Sequence, residues 1–130
     1  MEADIPGHEP ANAALTQLIE SLEADNRDLT TDYLDDNFLA QQHPAAQWLQ
    51  SCLNKTVFDY FDHLDMGYPI NWSLQGWPNV NRLGDYHDPH NHPHAYLSGT
   101  YYVSVPGGSP AIGSRRDVRS GCIGFYDPRG

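Results

Sequence analysis

A change of character at Gly67 constrains the fold of this chain more than any other feature. Before it, apolar residues recur at helical spacing; after it, Pro and Gly break the sequence into short runs rich in Trp, Tyr, Val and Ile. Residues 12 to 24 predict an amphipathic helix with Leu15, Leu18, Ile19 and Leu22 on one face. The acidic segment EADNRDLTTDYLDD (23–36) reads as a loop. A second helix starts at Pro44, which suits a first turn, and carries a stripe of Leu49, Cys52, Leu53, Thr56, Tyr60 and Leu64 before Gly67 stops it. The runs INWSLQ, WPNVNRL, AYLSGTYYVSV and CIGFY then read as strands.

Helices followed by strands predict an α+β single domain over 1–130, with a helical part at 1–66 and a β part at 67–130. The helices would cover a β-sandwich or barrel. Of the expected strands, 95 to 105 has the clearest alternation. One parity holds Ala95, Leu97, Gly99, Tyr101, Val103 and Val105, an apolar face that should pack. The other holds Tyr96, Ser98, Thr100, Tyr102 and Ser104, which suits either water or the lining of a polar cavity.

Charge narrows the range of partners. Seventeen acidic against seven basic residues give a formal net charge of −10, which disfavours nucleic acid and anionic membranes. The cluster Arg115, Arg116 and Arg119 is too small to reverse that balance. No apolar run approaches the ~20 residues of a membrane span, and the N-terminal residues lack the pattern of a signal peptide. Cys52 and Cys122 fit no metal or redox spacing. A cytoplasmic location is the expectation.

The chemistry concentrates in GDYHDPHNHPHAYLSGTYYV, where His87, His90, His92 and His94 precede the 95–105 strand. Two histidines at i and i+2 in extended chain lean to the same side and can share one ion at ~2.1 Å each. His90 with His92 forms such a pair, and so does His92 with His94. The three cannot serve one ion together, because positions 90 and 94 lie about 13 Å apart in a straight strand. A mononuclear site therefore needs a ligand from elsewhere in the chain. Spacing by itself leaves a specific metal site and a solvated, His-rich loop both open.

The stretch Trp77 to Pro106 followed by GFYDPR (124–129) resembles the 2-oxoglutarate- and Fe(II)-dependent oxygenase family, through W-x-N-V, G, H-x-H-P, L-S-G-x-Y-Y-V and D-P-R in that order. The resemblance implies a double-stranded β-helix, a cupin-like jelly-roll barrel carrying the N-terminal helices. It implies Fe(II) and 2-oxoglutarate as cofactor and cosubstrate, and it places His90 and His92 at the near pair of metal ligands. Related enzymes more often pair histidine with a carboxylate, so Asp88 is the alternative to the second histidine. By the same resemblance Tyr102 contacts the distal carboxylate of 2-oxoglutarate and Asn81 is a further cosubstrate candidate. His87 and His94 would be outer residues of the loop. Asp127-Pro128-Arg129 would form a structural turn, with Arg129 distinct from the family's cosubstrate-binding arginine.

The family's distal histidine and basic residue lie beyond its D-P-R motif, whereas the sequence stops at Gly130. The chain thus reads as a fragment or shortened relative that binds metal weakly and does not turn over. An incomplete jelly roll would expose strand edges and favour self-association. The implied activity couples decarboxylation of 2-oxoglutarate to oxidation of a small-molecule or peptide substrate; a cupin-like metal-binding domain without oxygenase activity is the alternative.

Overall fold

Helix α1 runs from His8 to Asp25 in the computed structural model, which describes residues 4–26, 36–82, 84–105, 121–125, 127 and 129. It begins four residues before the expected start. The reason lies in the first turn: its N–H groups have no partner inside the helix, so Pro10 is tolerated there, and Glu9 complements the N-terminal dipole. Apolar periodicity starts only at Leu15, so the polar opening turn was invisible to it. Leu15 is fully buried, while Leu18, Ile19 and Leu22 are half-buried on the same side. Most of the segment expected as a loop, residues 27–35, lies outside the described residues.

Phe38–Ala40 makes one turn of 3-10 helix, and Pro44–His63 forms α2. The proline sits at the first helical position as expected, and the His43 ring nitrogen Nδ1 accepts the Ala45 N–H at 3.2 Å. The C-terminus closes before Gly67. The N–H of Met66 donates to the Phe61 carbonyl and that of Asp65 to the Asp62 carbonyl, with Asp65 at φ 50°: a Schellman closure built on an aspartate.

The core consists of Leu15, Phe38, Leu39, Ala45, Ala46, Leu49 and Phe61, gathered where α1, α2 and the 3-10 turn meet. The buried face of α2 rotates along its length. Leu49 packs as its stripe predicts, but Thr56 is exposed and its hydroxyl donates to the Cys52 carbonyl, while Phe61 is buried off the stripe. The cause is a second set of partners. Trp72 and Tyr96 return over the C-terminal half of α2, each with its ring centre 6.0 Å from that of Phe61. Among the described residues, no helix is long and apolar enough to cross a membrane.

The expected jelly roll is not there. No β-strand occurs among the described residues, and the segments expected as strands run as irregular chain with bends and turns. The parts of those segments at Leu83 and Tyr126 lie outside the described residues. A strand exists only when a neighbour completes its ladder, and alternation shows only that such a neighbour would fit. Pro78 removes a donor from the would-be ladder. The segment at 72–76 satisfies its polar groups against the helical residues instead. Asn37 donates through Nδ2 to the Leu74 carbonyl at 2.8 Å, and its Oδ1 accepts the Gly76 N–H at 3.0 Å and the Leu39 N–H at 3.2 Å. The Phe38 N–H donates to the Gly76 carbonyl at 2.9 Å, and the Trp72 indole donates to Asn54 Oδ1 at 2.9 Å.

Gly76 is required at this crossing. A Cβ there would stand 2.9 Å from both Cγ and Cδ1 of Leu39, whose side chain is itself buried in the core. Gly76→Ala is expected to destabilise the chain by about 1–3 kcal/mol through overpacking. Urea unfolding would register this as a lower midpoint at unchanged slope.

Two compact units divide the chain, Met1–Ser98 and Gly99–Gly130. The first holds both helices, the 3-10 turn and the four clustered histidines. In the second, Gly121 takes a φ of +73° and lies so close to the Val105 side chain that a Cβ would stand 2.6 Å from its Cγ1. Of the parity expected to pack in the 95–105 run, Tyr101 and Val103 are half-buried, whereas Ala95, Leu97, Gly99 and Val105 are exposed.

Candidate metal centre

The histidine loop is fastened to the helical residues at both ends. At its start Arg82 Nη2 pairs with Glu23 Oε2 on α1 at 2.6 Å. A turn follows, in which the Asp85 N–H donates to the Arg82 carbonyl at 3.0 Å and Gly84 takes a φ of +97° that side-chain-bearing residues rarely adopt. The Asp85 carboxylate accepts the Arg82 N–H at 2.8 Å. At its far end the Tyr96 ring rests near Phe61. Between these points residues 84–100 are all exposed.

Within the loop, His92 opens a turn in which its carbonyl accepts the Ala95 N–H at 3.1 Å and Pro93 sets the bend. His94 therefore leaves the extended register that the i, i+2 argument requires. His90 and His92 remain adjacent, with ring centres 5.1 Å apart and planes inclined at 43°. His90 Nδ1 lies 2.8 Å from the Asp88 carbonyl oxygen. A carbonyl only accepts, so Nδ1 carries the proton and Nε2 keeps its lone pair for a ligand. That contact uses the Asp88 backbone. His87 Nε2 lies 3.0 Å from Asn81 Oδ1, which closes the first half of the loop on itself. The ring of His92 stacks on Trp77, with centres 5.8 Å apart and planes only 13° from parallel.

Two imidazoles sharing one ion at ~2.1 Å, at angles between right and tetrahedral, have ring centres roughly 4.5 to 5.2 Å apart. The His90–His92 separation falls inside that window. A backbone carbonyl holding the remote nitrogen of a ligating histidine is also the usual outer arrangement at metal sites. Imidazole nitrogen suits iron, zinc, copper and nickel alike. The ring-centre distance by itself is that of two adjacent positions on one ion. Among the described residues no group of three or more His, Cys, Asp or Glu side chains gathers to complete it.

Three further residues named from the sequence fall in the second unit. Tyr102 belongs to the second unit and is exposed. Asp127 and Arg129 bond to each other: Nε and Nη2 of Arg129 donate to Oδ1 and Oδ2 at 2.9 and 2.7 Å, and the Arg129 N–H also reaches Oδ1 at 2.9 Å. The guanidinium holds the Asp127 carboxyl below the usual carboxylate range, and the carboxylate raises the guanidinium in turn. Their bonds are those of a turn, as the sequence suggests for D-P-R. An open cleft of about 510 Å³ is lined by Glu20, Glu23, Ala24, Val80, Arg82 and Asp85, with no histidine among them. Its cation is committed to Glu23.

Two contacts escaped sequence reasoning. The Trp77–His92 stack spans fifteen residues of irregular chain, and the only hint was that Trp77 heads the W-x-N-V motif. Asn37 had no hint, since its partners lie at Leu74 and Gly76.

Residues 75–129 match the family model described as "Putative 2OG-Fe(II) oxygenase". The matched stretch includes Trp77, Asn81, the four clustered histidines, Tyr102, Asp127 and Arg129, and it excludes both helices. The match supports an oxygenase-type function dependent on Fe(II) and 2-oxoglutarate. Neither the curated proteins nor the solved structures returned a match.

Proposed function

We propose that residues 75–129 form the metal-binding part of a 2-oxoglutarate- and Fe(II)-dependent oxygenase, with His90 and His92 as two of the metal's ligands. The observation that carries this reading is the adjacency of those two rings, 5.1 Å apart, inside the stretch that matches the family. Bound Fe(II) would supply the chemistry that couples decarboxylation of 2-oxoglutarate to oxidation of a substrate.

The chain's own residues do the orienting. His90 presents Nε2 because the Asp88 carbonyl occupies Nδ1. The turn at Pro93 begins immediately after His92 and leaves His94 to the loop. Asn81 Oδ1 accepts from the His87 Nε2–H, and its amide nitrogen carries donors of the kind a carboxylate of 2-oxoglutarate would take. Tyr102 is assigned to the cosubstrate on its place in the L-S-G-x-Y-Y-V motif. The acidic composition favours a neutral or basic substrate, whether small molecule or peptide.

Anaerobic titration of the chain with Fe(II) tests the ligands. Replacing His90 or His92 with Ala is expected to weaken binding by at least about tenfold, more than His87→Ala or His94→Ala. Equal affinity in the His90/His92 double variant and the parent would remove the assignment. Oxygen-dependent release of succinate from 2-oxoglutarate tests the reaction, and any turnover is expected to be lost in the same variants. Metal binding without succinate would leave residues 75–129 as a metal-binding element.

A further inference from the structure

Trp77 holds the key to how an exposed loop can present a defined pair of ligands. His90 is oriented by a hydrogen bond, but the ring of His92 is placed by its stack on the Trp77 indole. Trp77 is half-buried, and the residue before it is bonded on both sides: the Gly76 N–H to Asn37 and the Gly76 carbonyl to the Phe38 N–H. A line of contacts therefore runs from the buried core through Gly76 and Trp77 to His92. No other described aromatic contact joins the histidine pair to the core.

We propose that Trp77 is a positioning residue for the metal: its indole face fixes the plane of His92, so that the imidazole edge stays turned toward the ion shared with His90. This inference rests on the metal-pair reading above and deepens it. A stack suits the task because it restrains the ring's rotation while leaving both ring nitrogens free, whereas a hydrogen bond would occupy one of them. The arrangement also strengthens on loading. A metal-bound imidazole carries more positive charge, and an electron-rich indole face attracts cations more than any other aromatic side chain does.

The test uses the 130-residue chain with Co(II) as the probe, read by binding affinity and by the visible absorption of the bound ion, which reports coordination geometry. Trp77→Leu keeps apolar bulk but removes the aromatic face. It is expected to weaken Co(II) binding by about tenfold and to alter the spectrum at saturation. Trp77→Phe restores a face and is expected to recover most of the affinity and the parental spectrum, an ordering that a purely structural role would not produce. In the unsubstituted chain, proton NMR should show the His92 ring protons shifted by the indole ring current and in through-space contact with Trp77. That measurement stands even if Trp77→Leu fails to fold, and absence of both effects overturns the inference. The failures separate cleanly. Unchanged Co(II) affinity in the His90→Ala and His92→Ala variants would sink the metal pair itself. Loss of binding in those variants with parental affinity and spectrum in Trp77→Leu would sink only the role of Trp77.

Discussion

Replacing Leu15 with alanine is expected to destabilise the chain by about 2–5 kcal/mol, the range for deleting a fully buried leucine. The side chain has no solvent exposure, and it is the largest of the completely buried ones. Only seven apolar residues are buried among those described, so the cavity would take a large share of one small core. Relaxation around it is limited because its neighbours sit on two helices and a 3-10 turn whose backbones are already bonded. At roughly 4–8 °C per kcal/mol for a domain of this size, the thermal midpoint should fall by about 10 °C or more. Circular dichroism at the helix band would follow it. Phe58→Ala is the matched control, since Phe58 is 60% exposed and its loss should move stability by no more than about 0.5 kcal/mol. Comparable midpoints for the two variants would mean that α1 does not dock through Leu15.

Asn37→Ala should cost nearly as much by a different mechanism. One side chain accepts the N–H groups of Leu39 and Gly76 and donates to the Leu74 carbonyl. Each bond contributes about 1 kcal/mol net, and its removal strands partly buried partners, so about 2–3 kcal/mol is expected in total. Asn37→Asp separates the parts. A carboxylate still accepts from both N–H groups but cannot donate to Leu74, and that variant should lose roughly half as much. The substitution should also reach the metal pair, because Asn37 holds Gly76 and Gly76 roots Trp77. Weaker Co(II) binding in the still-folded fraction of Asn37→Asp would show that path. A stability loss in Asn37→Ala below about 0.5 kcal/mol would remove Asn37 as the clamp.

The two helices were legible because each satisfies a local rule. Leu15, Leu18, Ile19 and Leu22 recur with the helical period, and Pro44 marks a first turn. The strands were misread for the complementary reason. INWSLQ and AYLSGTYYVSV have the composition and alternation of strands, yet a ladder is a property of two segments. Here Asn37, Asn54 and Phe61 supplied side-chain and aromatic partners that no pattern in either segment could announce. The jelly roll implied by the oxygenase resemblance fails with those strands. Residues 75–129 nonetheless match the family model.

At the site, the H-x-H-P spacing left two histidine pairs open, 90 with 92 and 92 with 94. The turn closed by the Ala95 N–H on the His92 carbonyl separates them, since it bends the backbone after 92, while the rings of His90 and His92 lie 5.1 Å apart. Residue types and spacings alone thus determined the helices, the acidic balance and the cluster of imidazoles. Each of these depends on near neighbours along the chain or on counts of charge. Only the tertiary structure decided which two rings face one another and which indole covers one of them. It also decided what the segment from Trp72 to Gly76 bonds to. Those are contacts between distant residues, and their energy exists only once the intervening chain has been brought round.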